Sequence, residues 1–112
     1  MKEYAFALDL QNNPEKIVSY IVHHKNVWPI VIEKIKESGV IDMRIYQLAN
    51  RLFMIVKVND DFSIETDSIG DPTHPEVQRW EELMWEYQQA LPFAHKGEKW
   101  LLMNNIFQLH QQ

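Results

Sequence analysis

The hydrophobic period of this chain switches between two and 3.6 in a set order, and that order leaves few folds open. Residues 3–10 alternate. Tyr4, Phe6, Leu8 and Leu10 fall on one side, and Glu3, Ala5, Ala7 and Asp9 on the other. Period two predicts a strand with one strongly buried face. Gln11-Asn12-Asn13-Pro14 ends it, and Asn13 before Pro14 is a helix start, with Asn as the cap and proline in the first turn. From Glu15 the spacing is helical: Ile17, Ile21, His24, Trp28, Val31 and Ile35 recur at steps of four and three. Pro29 cannot donate to the carbonyl of Lys25 and would clash with it. A kink or break is therefore expected near residues 25–28, followed by a second helical piece to Ser38, with Gly39 just beyond its end.

Residues 40–48 and 51–58 read as two strands joined in a hairpin at Ala49-Asn50. Leu52-Phe53-Met54-Ile55-Val56 is apolar on both faces, as in a strand that is central or whose sheet is covered on both sides. Asn59-Asp60-Asp61 is capping material for a short helix within 59–69. After the loop Gly70 to Pro75, Val77, Trp80, Met84 and Tyr87 mark another helix, which Leu91-Pro92 closes. A loop covers 93–99, and Trp100 to Leu109 alternates as a last strand. Strand, helix, strand, strand, helix, strand is the split βαβ pattern. The fold class is α+β, a single ferredoxin-like domain over residues 1–112 with a four-stranded antiparallel sheet and helices on one face. Phe53, Ile55, Met103 and Phe107 put apolar side chains on the face the helices leave bare. A chain of 112 residues has nothing left to cover it. The expected cover is a second copy, sheet against sheet, in a two-fold homodimer of the dimeric α/β barrel kind.

Composition excludes several chemistries. Net charge is −5 with no basic run, which argues against nucleic acid and anionic membranes as partners. There is no cysteine, hence no disulfide or thiolate site. The first residues alternate, unlike a signal peptide, and no apolar run has membrane-spanning length, so a cytoplasmic protein is expected. His23 and His24 are adjacent and project to different sides. His74, His95 and His110 fall in loops or the tail without metal-ligand spacing. No phosphate-binding glycine motif or nucleophile elbow is present. No metal and no cofactor is expected.

The chemistry is concentrated in Tyr20-Ile-Val-His-His-Lys-Asn-Val-Trp-Pro29. His24 lies on the apolar stripe, whereas His23 sits about 100° round the helix and is expected to face solvent. Tyr20 is one turn before His24 on the same side. A histidine on such a stripe is commonly a hydrogen-bonded core residue. Beside a tyrosine it is also suited to general acid or base work near neutral pH. Tyr20, Tyr46 and Trp80 could complete a polar-aromatic pocket of the kind that holds sugars, although each alone reads first as core. Glu81 and Arg79, on pattern alone, are solvated helix residues.

Over nearly its whole length, from Ala5-Phe6 to Phe107-Gln108-Leu109, the sequence resembles the L-rhamnose mutarotase family. The resemblance is carried by Tyr20-x-x-x-His24-x-x-x-Trp28-Pro29, by Ile45-Tyr46 and by Gln78-Arg79-Trp80. It implies a ferredoxin-like dimer with one pocket per subunit. It also implies His24 as proton donor, with Tyr20 and Trp80 as sugar contacts. Two positions depart from the family: its second tryptophan is Glu81 here, and a sugar-contacting tyrosine falls at Met43. Tyr46 matches a tyrosine three residues later, which alternation puts on the opposite face from Met43. The segments around Asp42-Met43, Trp80-Glu81 and Leu83 to Tyr87 look like a branch linked to L-fucose. The implied activity is interconversion of the α and β anomers of a 6-deoxy-L-hexose, L-rhamnose or L-fucose. In it His24 delivers a proton to the ring oxygen, Tyr20 holds a hydroxyl and Trp80 stacks on the ring. Glu81, where the family has tryptophan, is by its own chemistry a candidate partner for the anomeric hydroxyl. Two other readings stay open: a cofactor-free oxygenase of the same dimeric fold, and a non-catalytic sugar-binding module.

Overall fold

The sheet is assembled on the first strand of the chain. In the computed structural model, which describes residues 1–111, β1 (Lys2–Leu10) pairs antiparallel with β3 (Arg51–Val58), from Lys2 opposite Val58 to Asp9 opposite Arg51. β3 pairs in turn with β2 (Val40–Leu48), with an irregularity between Val40 and Asp42. On the other edge of β1 lie β4 (Gln88–Gln89) and β5 (Leu101–Leu102), both antiparallel to it. Gln88 faces Leu10, and Leu102 faces Phe6. The two short pieces act as one edge strand interrupted by residues 90–100. The order β2-β3-β1 followed by this split edge is the ferredoxin-like arrangement.

Local chemistry sets the helix ends. Asn13 is extended and its side-chain oxygen accepts from the N–H groups of Glu15 and Lys16 at 3.0 and 3.1 Å, which starts α1 (Pro14–His23). The chain then breaks and restarts at α2 (Pro29–Glu37), with proline in the first turn, as the Pro29 argument requires. Gly39 follows with φ +102°, a left-handed conformation, and an added Cβ would lie 3.4 Å from the Phe62 ring. α3 (Pro75–Trp85) completes the helical layer. Among the described residues no helix is long and apolar enough to cross a membrane.

Alternation along β1 and β3 separates the faces as expected. Leu8, Leu10, Leu52, Val56 and Val58 are buried beneath the helices. Ala5, Ala7, Phe53 and Ile55, on the other face, are only half-buried. Asp9, on that outer face, is shielded by Arg51, its cross-strand neighbour, which grips both carboxylate oxygens at 2.7 and 3.1 Å. Two hydrophobic clusters form the core. One centres on Leu10, Tyr20, Leu52, Trp80 and Met84, the other on Phe6, Val40, Met54, Val56 and Phe62. Ile35, Ile45 and Trp100 pack against both.

Three elements differ from the sequence reading. Residues 59–69 form turns, not a helix. Their anchors Phe62, Ile64 and Ile69 pack on the second cluster at non-helical spacing, and the Asp67 carboxylate accepts from the Ser63 N–H at 2.8 Å, a local bond that competes with a helix. The last long helix stops at Trp85, short of Leu91-Pro92. The open edge of β1 captures the chain there, with Gln11 N–H donating to the Tyr87 carbonyl at 2.8 Å and its side chain to the Glu86 carbonyl at 3.0 Å. The expected strand over Trp100 to Leu109 is reduced to Leu101–Leu102 plus one bond from Met103 N–H to the Ala5 carbonyl at 2.8 Å. Beyond it the chain leaves the edge, with Ile106 and Phe107 exposed, and closes in a 3₁₀ turn at Leu109–Gln111.

Candidate active site

A cavity of about 500 Å³ opens between the two hydrophobic clusters, on the helix-covered side of the sheet. That is within the range of small-molecule sites, about 300–1,000 Å³. Phe6 and Met54 come from the sheet, Val31 from α2, and Val77 and Met84 from α3. The polar side chains reaching it include His24, Tyr20, Gln88 and Glu81.

His24 owes its position to the helix break. It caps α1, and its ring folds back so that Nδ1 lies 2.8 Å from the Tyr20 carbonyl oxygen. A carbonyl only accepts, so Nδ1 carries the proton and Nε2 keeps its lone pair. Among the described residues Nε2 has no hydrogen-bond partner. Burial holds the ionisation of His24 below the ordinary value of 6.5, opposed by the bond to the Tyr20 carbonyl, assisted by His23 and opposed again by Glu81. The side chain is a neutral base at neutral pH.

Tyr20 is buried, with its ring centroid 4.3 Å from that of His24. Burial pushes its hydroxyl up to about 12, partly offset by a hydrogen bond from Gln88, and the Glu81 charge raises it further. It therefore stays protonated and able to donate. Trp80 is 5.8 Å from His24, inclined at 67°, and is backed by Trp28 at 5.2 Å. Of the stripe residues in α1, Ile21 is exposed, and Tyr20 takes the deep position instead.

Glu81 lies on the rim. Lys99, from the segment that interrupts the edge strand, donates to its carboxylate at 2.6 Å and also lies over the Trp85 ring at 4.9 Å. Tyr46 does not join the cavity. It pairs with Phe53 across the strands, so it occupies the outer face, half-exposed, with Arg44 donating to its hydroxyl at 3.1 Å. Met43, of opposite parity, lines the cavity in its place. His23 is half-buried rather than solvent-facing, because Tyr87 returns beside α1. The two share a hydrogen bond at 3.2 Å, and His23 meets Trp80 edge-on at 6.3 Å.

Sequence reasoning missed Gln88, Trp100 and the wall formed by Ser68, Ile69, Gly70 and Pro72. Gln88 follows Met84 by four and so continues the Val77-Trp80-Met84 spacing, but a lone glutamine at the end of an apolar stripe gives no signal of a site.

Fold and site together define the class: a ferredoxin-like α+β protein with an uncharged histidine in an aromatic cavity beside its sheet. Comparison with known proteins narrows it. Residues 3–109 match the family described as L-rhamnose mutarotase. The chain is 33% identical over 113 residues to an L-fucose mutarotase of Xanthomonas campestris pv. campestris, covering 99% of this chain and 90% of the relative. It is 30% identical over 90 residues to an L-rhamnose mutarotase of Sinorhizobium fredii, covering 78% and 76%. A crystal structure of an L-rhamnose mutarotase from Formosa agariphila has the same fold, with a TM-score of 0.71 at 21% identity over 97% of this chain and 99% of that one. The chain belongs to the L-rhamnose mutarotase family.

Proposed function

We propose that the protein is a sugar mutarotase that interconverts the α and β anomers of a 6-deoxy-L-hexose, with His24 carrying the proton. The observation that supports this most is the fixed tautomer of His24, which turns an unbonded Nε2 lone pair toward the reaction space of a partly apolar cavity. The anomeric oxygen and the ring oxygen are both bonded to C1, so one nitrogen can serve both. Nε2 takes the proton of the anomeric hydroxyl. The released electron pair forms the C1–O1 double bond, the C1–O5 bond breaks, and O5 takes the proton back from Nε2. The open aldehyde turns about C1–C2, and the same steps in reverse close the ring on its other face. His24 is thus acceptor in the first half of opening and donor in the second. The Tyr20 carbonyl stabilises the imidazolium in between through Nδ1–H.

The remaining roles follow from placement. Tyr20 donates to a sugar hydroxyl and Trp80 lies against a C–H face of the ring. Glu81, held by Lys99, accepts from a hydroxyl at the rim, and its charge favours the transient imidazolium. Met43, Met54 and Val31 offer the apolar wall that a C6 methyl requires. The proposal includes a homodimer through the outer sheet face, where Phe53, Ile55, Tyr46 and Leu48 present apolar surface. It also includes a cytoplasmic setting.

NMR exchange spectroscopy on equilibrated L-fucose and L-rhamnose tests the activity. The parent protein should speed anomer exchange of at least one of them, and His24→Ala should not. Binding of sugar with unchanged exchange would make the protein a binding module instead.

A further inference from the structure

The cavity contains a buried polar atom that the described residues leave unpartnered. Gln88 is 6% exposed, and its Nε2 donates to Tyr20 Oη at 3.4 Å. Among the described residues its Oε1 has no hydrogen-bond partner. Buried carboxamide oxygens are nearly always satisfied, because leaving one dry forfeits the water it gave up. An orphan that lines a cavity marks the place where a ligand supplies the missing donor.

The placement of Gln88 is rigid. It pairs with Leu10 on the edge of β1, so its side chain lies on the helix-covered face of the sheet. The preceding residues are tied to Gln11 through the carbonyls of Tyr87 and Glu86. The direction of the Gln88–Tyr20 bond matters as well. Tyr20 Oη accepts from the amide, so its own O–H is free to point elsewhere. Side by side stand one acceptor without a donor and one donor without an acceptor. A secondary hydroxyl, which gives one hydrogen bond and takes another, matches that couple.

We propose that Gln88 and Tyr20 form a hydroxyl-recognition subsite in which Oε1 accepts from a non-anomeric ring hydroxyl and Tyr20 donates to the same group or its neighbour. This rests on the mutarotase reading, which assigns the anomeric hydroxyl to His24. The subsite makes Gln88 a residue that decides which sugars are accepted. The motifs that carry the family resemblance do not include it.

The test is an affinity series, by calorimetry, with L-fucose and with its three derivatives that lack the hydroxyl at C2, C3 or C4. On the parent protein, one derivative should bind about 10- to 100-fold more weakly than L-fucose, because it leaves Oε1 dry. On Gln88→Met, L-fucose should weaken by a similar factor, and that derivative should bind no worse than L-fucose. If Gln88→Met does not fold, Gln88→Asn, which withdraws the amide by one methylene, serves for the same comparison. Equal ratios across the series in parent and variant would show that Gln88 acts on packing alone and would overturn the subsite. Anomer exchange is read separately. The expected affinity pattern without faster exchange overturns the mutarotase reading and leaves the subsite in place. Faster exchange with an unaltered series overturns the subsite alone, and failure of L-fucose and L-rhamnose to bind at all overturns both.

Discussion

The two faces of the sheet carry apolar side chains for different reasons. On the inner face, Leu8, Leu10, Leu52 and Val56 are almost wholly removed from water by the helices, and the gap between the core clusters is left as a cavity. On the outer face, Phe53 and Ile55 are half-buried, and Tyr46 and Leu48 stand out into solvent at 49% and 81% exposure. The same strands build both. Residues one position apart, Met54 and Phe53, serve a cavity wall and an open apolar surface respectively. The inner face shows that a small core can leave room for a ligand without losing its burial. The outer face shows apolar side chains left in reach of solvent among charged ones such as Glu3, Arg44 and Lys57.

The largest expected effect tests the chemistry of the inner face. His24→Ala should lower catalysed anomer exchange by about 10²–10⁴-fold, the usual contribution of a positioned proton carrier, with the unfolding midpoint little changed. Exchange as fast as the parent's would remove His24 from the reaction. Next in size is the inner core. Leu8→Ala should cost about 2–5 kcal/mol in urea unfolding, because the site is fully buried. Phe53→Lys probes the opposite face. It should weaken self-association by about 2 kcal/mol, seen as a monomer shift in sedimentation, while the monomer keeps its fold. If the variant sediments like the parent, a second copy does not sit on that face.

A smaller effect follows from His24 titration. Its folded-state ionisation lies below 6.5, chiefly through burial. Since the neutral form is the active one, kcat/KM should stay level above pH 6.5 and fall as pH drops through the lowered value. The unfolded chain takes up this proton before the folded one. The stability linked to His24 is therefore complete above about 6.5 and declines as pH falls toward the folded-state value. An acid limb centred above 6.5 would contradict a buried neutral imidazole. The smallest effect belongs to Tyr46→Phe. It removes only a hydroxyl bonded to Arg44 on the outer face, and should leave exchange unaltered and stability within about 0.5 kcal/mol.

The sequence alone was enough to order the first three strands and the longer helices, and to place the break before Pro29 and the shared side of Tyr20 and His24. All of these rest on local spacing. The opposition of Met43 and Tyr46 was equally readable, because strand parity assigns faces whatever the neighbours are. Tertiary pairing overrode local signals elsewhere. The pattern through Tyr87 favours a longer helix, yet the open edge of β1 offered the backbone of residues 86–89 better partners. The alternation from Trp100 to Leu109 pairs only at Leu101 and Leu102, opposite Ala7 and Phe6, with one further bond to Ala5, and the chain leaves the edge beyond Met103 although β1 continues to Lys2.

Periodicity along a chain records which way a side chain faces relative to its own element, and this chain therefore determined its helix break, its sheet faces and the Tyr20–His24 couple. Only the tertiary structure decided what stands across from that couple. Gln88 reaches Tyr20 from 68 residues away, and Lys99 holds Glu81 through a segment that interrupts an edge strand. Contacts of that span depend on which competing hydrogen bonds win when the sheet edge closes, a balance that no local spacing records.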